Sequence, residues 1–172
     1  KTVVGAGAVI GPWSTVTDSE IGENSVVNAS QIEASHVGAN AQIGPYARLR
    51  ENCLLGSGGY VGNFVELKNA AVGADTRLSH LSYVGDAALG ERCNVGCGAV
   101  TVNYDRVTKQ RTTVGDDAFI GCNSSLVAPV TLGDGAYIAA GSVITEDVPA
   151  QALGIARSRQ SNKRDWAAKH KK

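Results

Sequence analysis

The chain has 172 residues, and its 16 lysines and arginines balance 16 aspartates and glutamates, so the formal charge is zero. This length suits one domain with a short appendage, and the charge balance offers nothing global to nucleic acid. Glycine is abundant at 21 residues and aromatics make up only 5%, which favours many tight corners around a narrow aliphatic core.

No apolar run is long enough to span a membrane and no secretory leader is recognisable, so a cytoplasmic protein free of membrane is expected. The cysteines Cys53, Cys93, Cys97 and Cys122 form no paired framework. Cys93 and Cys97 are off the usual zinc-ribbon spacing and no second pair answers them. Free thiols in a reducing compartment, and no metal, are expected. The chain lacks methionine and opens inside its own repeat, which reads as a fragment of a longer protein.

From Val4 to Ile144 an aliphatic anchor, often followed by glycine, returns about every sixth position. The 24 anchors fall into threes: 4/10/16, 21/27/32, 37/43/49, 55/61/67, 72/78/84, 89/95/101, 114/120/126 and 132/138/144. Thr101 alone is not aliphatic, and one step, from Thr101 to Val114, is thirteen residues. The period fits neither a helix stripe nor simple strand alternation. Short periods with glycine mark a parallel β-helix of hexapeptide repeats. Each hexapeptide is a short strand plus a corner, with the anchor inward and the glycine accepting backbone conformations that other residues avoid. Three hexapeptides make a triangular coil, so the anchors predict eight coils, stacked about 4.8 Å apart and stabilised by their neighbours. An all-β sandwich with frequent turns is the alternative, and so regular a beat weighs against it.

Residues 1–148 are thus expected to form the β-helix, with a loop inserted over 102–113, and 149–172 a basic tail. The first two coils carry little chemistry; Pro12, Trp13, Asp18–Glu20 and His36 read as outer surface. The informative stretches are Gly44-Pro-Tyr-Ala-Arg-Leu-Arg50, Gly62-Asn-Phe-Val-Glu-Leu-Lys68 and Leu78-Ser-His-Leu-Ser-Tyr-Val-Gly85. The inserted loop leaves a rigid scaffold, where function concentrates; the alternative is a tolerated surface insertion. The tail carries Arg157, Arg159, Lys163, Arg164, Lys169, Lys171 and Lys172, with a short helix expected around Asn162–Ala168. A basic terminus is usually just solvated; the alternative is that Arg157, close behind the last coil, meets a phosphate.

Counting along the beat compares positions between coils. Arg50 and Lys68 each follow a third anchor, so they stack at one strand spacing. Two cations that close point to a phosphate or carboxylate site, or else to an ion pair with Glu66, which with Tyr83 lies on the same corner. His80, Cys97, Cys122 and Ala140 each stand two residues after a second anchor. In register they form a line with a histidine at its head and small side chains over about 15 Å. Such a groove suits an extended acyl carrier arm such as pantetheine. Histidine changes charge near neutral pH and is a candidate base; a packed structural histidine is the alternative. The two columns lie on different corners, which favours a homo-oligomer, and three-fold symmetry suits a triangular prism.

These stretches, with Asn94-Val-Gly-Cys-Gly98, Asn103-Tyr-Asp105, Leu126-Val-Ala-Pro-Val130 and Ile138-Ala-Ala-Gly-Ser142, closely resemble the C-terminal acetyltransferase domain of the GlmU family. Its members are bacterial bifunctional N-acetylglucosamine-1-phosphate uridyltransferases and glucosamine-1-phosphate acetyltransferases. The resemblance implies a left-handed β-helix, an exception to right-handed crossovers, assembled as a homotrimer. It implies acetyl transfer from acetyl-CoA to the amine of glucosamine 1-phosphate, serving UDP-N-acetylglucosamine and cell-wall synthesis. The family's uridyltransferase domain and its magnesium site are not in this sequence. Carried over by resemblance, His80 is the base. Arg50, Lys68, Tyr83, Asn94 and Lys109 form the sugar-phosphate site. Cys97, Asn103, Tyr104, Cys122, Ala140 and Arg157 contact acetyl-CoA. Two positions depart from the family, where Cys97 is commonly alanine and Cys122 commonly serine. A thiol donates more weakly than a hydroxyl, so backbone N–H groups are left to hold the thioester oxygen. A cysteine nucleophile passing acetyl in two steps is an alternative, but direct attack needs only proximity and a base.

Other hexapeptide prisms remain as rivals. A γ-type carbonic anhydrase needs zinc histidines, and His36, His80 and His170 share no column. An acyltransferase acting on a nucleotide-sugar with an acyl-carrier protein is the nearest enzymatic rival. A structural prism without catalysis is the non-enzyme reading.

Overall fold

The computed structural model describes residues 1–171; Lys172, counted above in the basic tail, lies outside the described residues. Each hexapeptide turns two side chains inward. The anchor points inward, and so does the residue two positions earlier, as strand alternation requires. Ala41 and Ile43, Ala47 and Leu49, Cys53 and Leu55 are all at most 3% exposed. The earlier residue is small, and most of the hydroxyls in this row donate to backbone carbonyls, while those of Ser14 and Thr112 are buried without a partner. Ser25 Oγ donates to the Gly38 carbonyl and Thr76 Oγ1 to that of Gly90, both at 2.8 Å, which offsets the cost of burying a polar group. Cys53 and Cys93 belong to this inner row. Their thiols donate to the carbonyls of Arg50 and Gly115 at 3.1 Å, and burial pushes both up in pKa.

The coils stack in parallel and in register. On the first face Val4, Ile21, Val37, Leu55, Val72, Leu89, Val114 and Leu132 pair in turn. On the second the series runs from Ile10 through Leu78, Val95 and Ile120 to Ile138. On the third it runs from Val16 through Leu49, Leu67 and Val84 to Thr101, Leu126 and Ile144. Each triplet read from the sequence is therefore one coil, and the long step leaves the register intact. Pairing goes on past Ile144. Leu132 bridges to Val148, and Leu153–Gly154 pairs with Tyr137–Ile138, adding a partial ninth turn to the eight. Gly154 takes the anchor place beside Ile138, so the aliphatic beat stops before the coil does. At the other end the first coil has a neighbour on one side only, and Val4 and Ile10 stay 49% and 39% exposed.

The glycine after the anchor serves close approach rather than an unusual backbone angle. A Cβ on Gly22 would stand 2.5 Å from the carbonyl carbon of Gly38, and one on Gly73 2.5 Å from that of Gly90. Coils touch backbone to backbone there. The left-handed corner falls two residues later, on Asn24 (φ 56°) and Asp75 (φ 57°), residue types that tolerate that region.

The tail ends in one helical turn, Trp166–Lys169. It starts later than expected because Asp165 sits at φ 58°, outside the helical region; the Trp166 ring stacks on His170 with centroids 4.2 Å apart. No helix among the described residues is long and apolar enough to cross a membrane.

Thr101 breaks the aliphatic series for a visible reason. Its hydroxyl donates to the Gly85 carbonyl at 3.0 Å and accepts from the Gly85 N–H at 2.8 Å. Thr101→Val keeps the shape and strips both partners from a buried peptide group. It should cost about 1–3 kcal/mol and lower the thermal midpoint by several degrees. An unchanged melting curve would show that Gly85 does not depend on this hydroxyl.

Candidate functional site

The expected cation column is in place. Lys68 pairs with Arg50 across the ladder, and Glu66 with Tyr83. The Arg50 Nε donates to Glu66 Oε1 at 2.6 Å, so the ion pair weighed above does form. Glu51, passed over in the sequence, sits between the two cations, paired with the Arg50 guanidinium and 3.4 Å from Lys68 Nζ. The hydrogen bond that Arg50 donates to Glu66 raises the Arg50 pKa further. Tyr83 folds back along its own strand, for a Cβ on Gly85 would stand 2.3 Å from its hydroxyl oxygen.

The inserted loop turns back on itself, with Tyr104 and Lys109 in an antiparallel bridge. Asp105 ties its tip by accepting from the N–H groups of Val107 and Thr108 at 2.8 and 2.6 Å. These bonds hold the Asp105 carboxyl below its usual pKa. The fold of the loop brings Lys109 beside Lys68, and this neighbour pushes the Lys109 pKa down. Asp86 fastens the loop to the coil. It is 9% exposed, accepts from Asn69 Nδ2 at 2.6 Å and also accepts from Asn103. Burial alone would push its carboxyl up. The two amide donors, with Lys109 and Lys68 nearby, outweigh that and hold it below the ordinary value. Asp86 lies two residues after the third anchor Val84, opposite Asn69 and Asn103 in the neighbouring coils, a column the sequence reading did not count.

The histidine column is also in place. Backbone bonds of 2.8 Å run from Gly98 N to Leu81 O, from Asn123 N to Cys97 O and from Gly141 N to Cys122 O. They keep His80, Cys97, Cys122 and Ala140 in line. Asn63 extends the column past His80, and its Oδ1 lies 2.7 Å from His80 Nδ1. An amide oxygen only accepts, so Nδ1 carries a proton, and in the neutral ring the lone pair is then on Nε2. Ser82 Oγ donates to the His80 carbonyl at 2.9 Å, fixing the backbone beside the ring. Sequence reading missed Asn63, although its place one coil before His80 was countable.

Asn94 lies apart from the cation column, on the second face between Arg77 and Phe119. Arg157 reaches the coil that holds Ala140: its Cδ is 3.7 Å from where a Cβ on Gly141 would be. Among the described residues no hydrogen bond or ion pair joins the His80 column to the Arg50, Lys68 and Lys109 cluster. Nor is any group of three or more His, Cys, Asp or Glu placed to hold a metal ion.

Residues 111–146 match the family model "Bacterial transferase hexapeptide (six repeats)". Over 166 residues the chain is 52% identical to "Bifunctional protein GlmU" of Exiguobacterium sp., covering 96% of this chain and 37% of that protein. The protein of the same name from Caldicellulosiruptor saccharolyticus is 55% identical over 158 residues, covering 92% of this chain and 34% of that one. The chain belongs to the GlmU family of hexapeptide-repeat proteins. It spans little more than a third of the length of these relatives. Among solved structures, LpxA from Acinetobacter baumannii superposes with TM-score 0.80 at 16% identity, over 91% of this chain and 67% of that one. GDP-perosamine N-acetyl transferase from Caulobacter crescentus, a mutant solved in complex with CoA and GDP-perosamine, gives TM-score 0.53 at 21% identity over 77% of this chain and 66% of that one. The likeness confirms a left-handed parallel β-helix.

The Asp86 clasp can be tested without substrate. Below the ordinary value of 3.8 the unfolded chain binds a proton that folded Asp86 resists. Its stabilisation is therefore whole above that value and lost as pH falls through the lower folded one. Asp86→Asn should unfold at lower urea than the parent at pH 6, and the gap should close at about pH 2. A gap that stays constant with pH would mean that the charge on Asp86 does not hold the loop.

Proposed function

We propose that the chain transfers acetyl from acetyl-CoA to the amine of glucosamine 1-phosphate. The product, N-acetylglucosamine 1-phosphate, would feed UDP-N-acetylglucosamine and cell-wall synthesis. The observation that carries the reading is the column headed by His80, in a chain 52% identical over 166 residues to a bifunctional GlmU protein. With Nδ1–H held by Asn63, Nε2 is the atom that takes the proton from the amine as its nitrogen attacks the thioester carbonyl. The C–S bond breaks, and the same imidazolium returns its proton to the departing CoA thiolate.

Arg50, Lys68, Tyr83, Asn94 and Lys109 bind the sugar phosphate. The Lys68–Lys109 contact supports this, because two neighbouring ammonium groups favour an anion beside them. Cys97, Cys122 and Ala140 line the arm of acetyl-CoA, with Asn103 and Tyr104 alongside and Arg157 towards its phosphates. Direct attack leaves the thioester oxygen to backbone N–H groups, since a Cys122 thiol is a weak donor. The cation cluster and the His80 column sit on different corners, so a homotrimer would complete each site with residues of a neighbouring copy. In the cytoplasm, a uridyltransferase domain in the longer protein would consume the product.

The assay is release of free CoA thiol from acetyl-CoA, with and without glucosamine 1-phosphate. His80→Ala should slow it by about 10²–10⁴-fold while the far-ultraviolet circular dichroism stays that of the parent; turnover near the parent rate would remove His80 from the mechanism. Arg50→Ala should raise KM for glucosamine 1-phosphate and leave kcat nearly unchanged, and an unaltered KM would count against the phosphate site.

A further inference from the structure

The four thiols sort into two kinds. Cys53 and Cys93 are at most 1% exposed. Each is bonded to a carbonyl in the inner row of the prism, out of reach of solvent oxidants. Cys97 is half-buried and Cys122 exposed, and both stand on the outside. Acetyl transfer by direct attack uses neither sulfur. They occupy the same register position on adjacent coils. Val95 pairs with Ile120, Gly96 N donates to Ile120 O at 2.8 Å, and Asn123 N donates to Cys97 O at 2.8 Å. In-register neighbours are about 4.8 Å apart, inside the span of roughly 4.4–6.8 Å between Cα atoms that a disulfide bridges.

We infer that Cys97 and Cys122 form a dithiol that low-molecular-weight disulfides oxidise to an intramolecular disulfide, closing the groove along the His80 column. The exposed Cys122 thiolate attacks the oxidant first, forming a mixed disulfide and releasing one small thiol. The Cys97 thiolate, one coil away, then attacks the Cys122 sulfur and releases the second. The two cysteines give up two electrons, the oxidant becomes two thiols, and the two protons end on those thiols. The bonded sulfurs fill the middle of the line between His80 and Ala140, where an acyl carrier arm would pass. That consequence rests on the acetyl-CoA reading above; the formation of the bond does not.

The test uses the whole chain, incubated with excess glutathione disulfide and digested without reduction. Mass spectrometry should find a peptide pair joined through Cys97 and Cys122, short of two hydrogens and separated by dithiothreitol. Cys97→Ser and Cys122→Ser should give only mixed disulfides at the remaining thiol. CoA binding by calorimetry should weaken at least about tenfold on oxidation of the parent and return on reduction. Mixed disulfides alone in the parent would overturn the inference, and a joined pair that leaves CoA binding unchanged would overturn the closure of the groove. If the reduced chain binds no CoA yet the pair joins, the acetyl-CoA reading fails and the dithiol stands.

Discussion

Backbone hydrogen bonding between coils in register is the constraint on which the rest of the molecule depends. In a parallel stack the nearest neighbour of a residue is its own counterpart one coil away, at about 4.8 Å. Aliphatic anchors gain from this, because each adds to a continuous inner column. The backbone after the anchor is held so close that glycine is required at Gly22 and Gly73. The row two residues earlier must be small, and most of its hydroxyls donate to backbone carbonyls, as those of Ser25 and Thr76 do. A coil has no core of its own, which is why the first one, stacked on one side only, leaves Val4 and Ile10 half-open.

The same rule makes charge expensive. Placing Arg50 beside Lys68 sets like on like, and Glu51 and Glu66 have to supply the opposite sign. A regular prism offers a side chain only two in-register neighbours, one above and one below. To bring a third group to the same point the chain must leave the register, and it does so between Val102 and Thr112. Lys109 reaches Lys68 from that excursion, and Asp86 holds the excursion down through Asn103. Because Leu89 pairs with Val114 and Thr101 with Leu126, the detour costs the stack nothing in alignment.

Much of this was countable beforehand. The triplets, the stacked Arg50 and Lys68 and the line from His80 to Ala140 all follow from a period that the structure keeps. What counting missed has physical causes. The inner small row mixes Ala, Ser, Thr, Cys and Val, so it has no single chemical signature. The anchor glycines were assigned conformational freedom, whereas their role is steric and depends on the next coil. Glu51 and Asp86 act through side-chain directions at corners, which spacing does not reveal; the place of Asn63 was countable, but its bond to His80 depends on such a direction too. The ninth turn has glycine where the anchor should be, so the beat could not announce it.

Two of every six residues face inward, and these suffice to specify the prism. A fold shared at low identity is therefore what the architecture predicts, and it says little about chemistry. The residues proposed for the site lie on the outer columns, in the loop or in the tail, where the stack leaves identity free. High identity along the whole chain reaches those positions, so it carries functional weight that superposition does not. Thr101 is where the two sets meet. It is an inward residue, yet its hydroxyl serves Gly85, the glycine over which Tyr83 folds and the neighbour of Asp86. At that coil an aliphatic anchor would satisfy the core and leave the backbone beneath the proposed phosphate site without its partner.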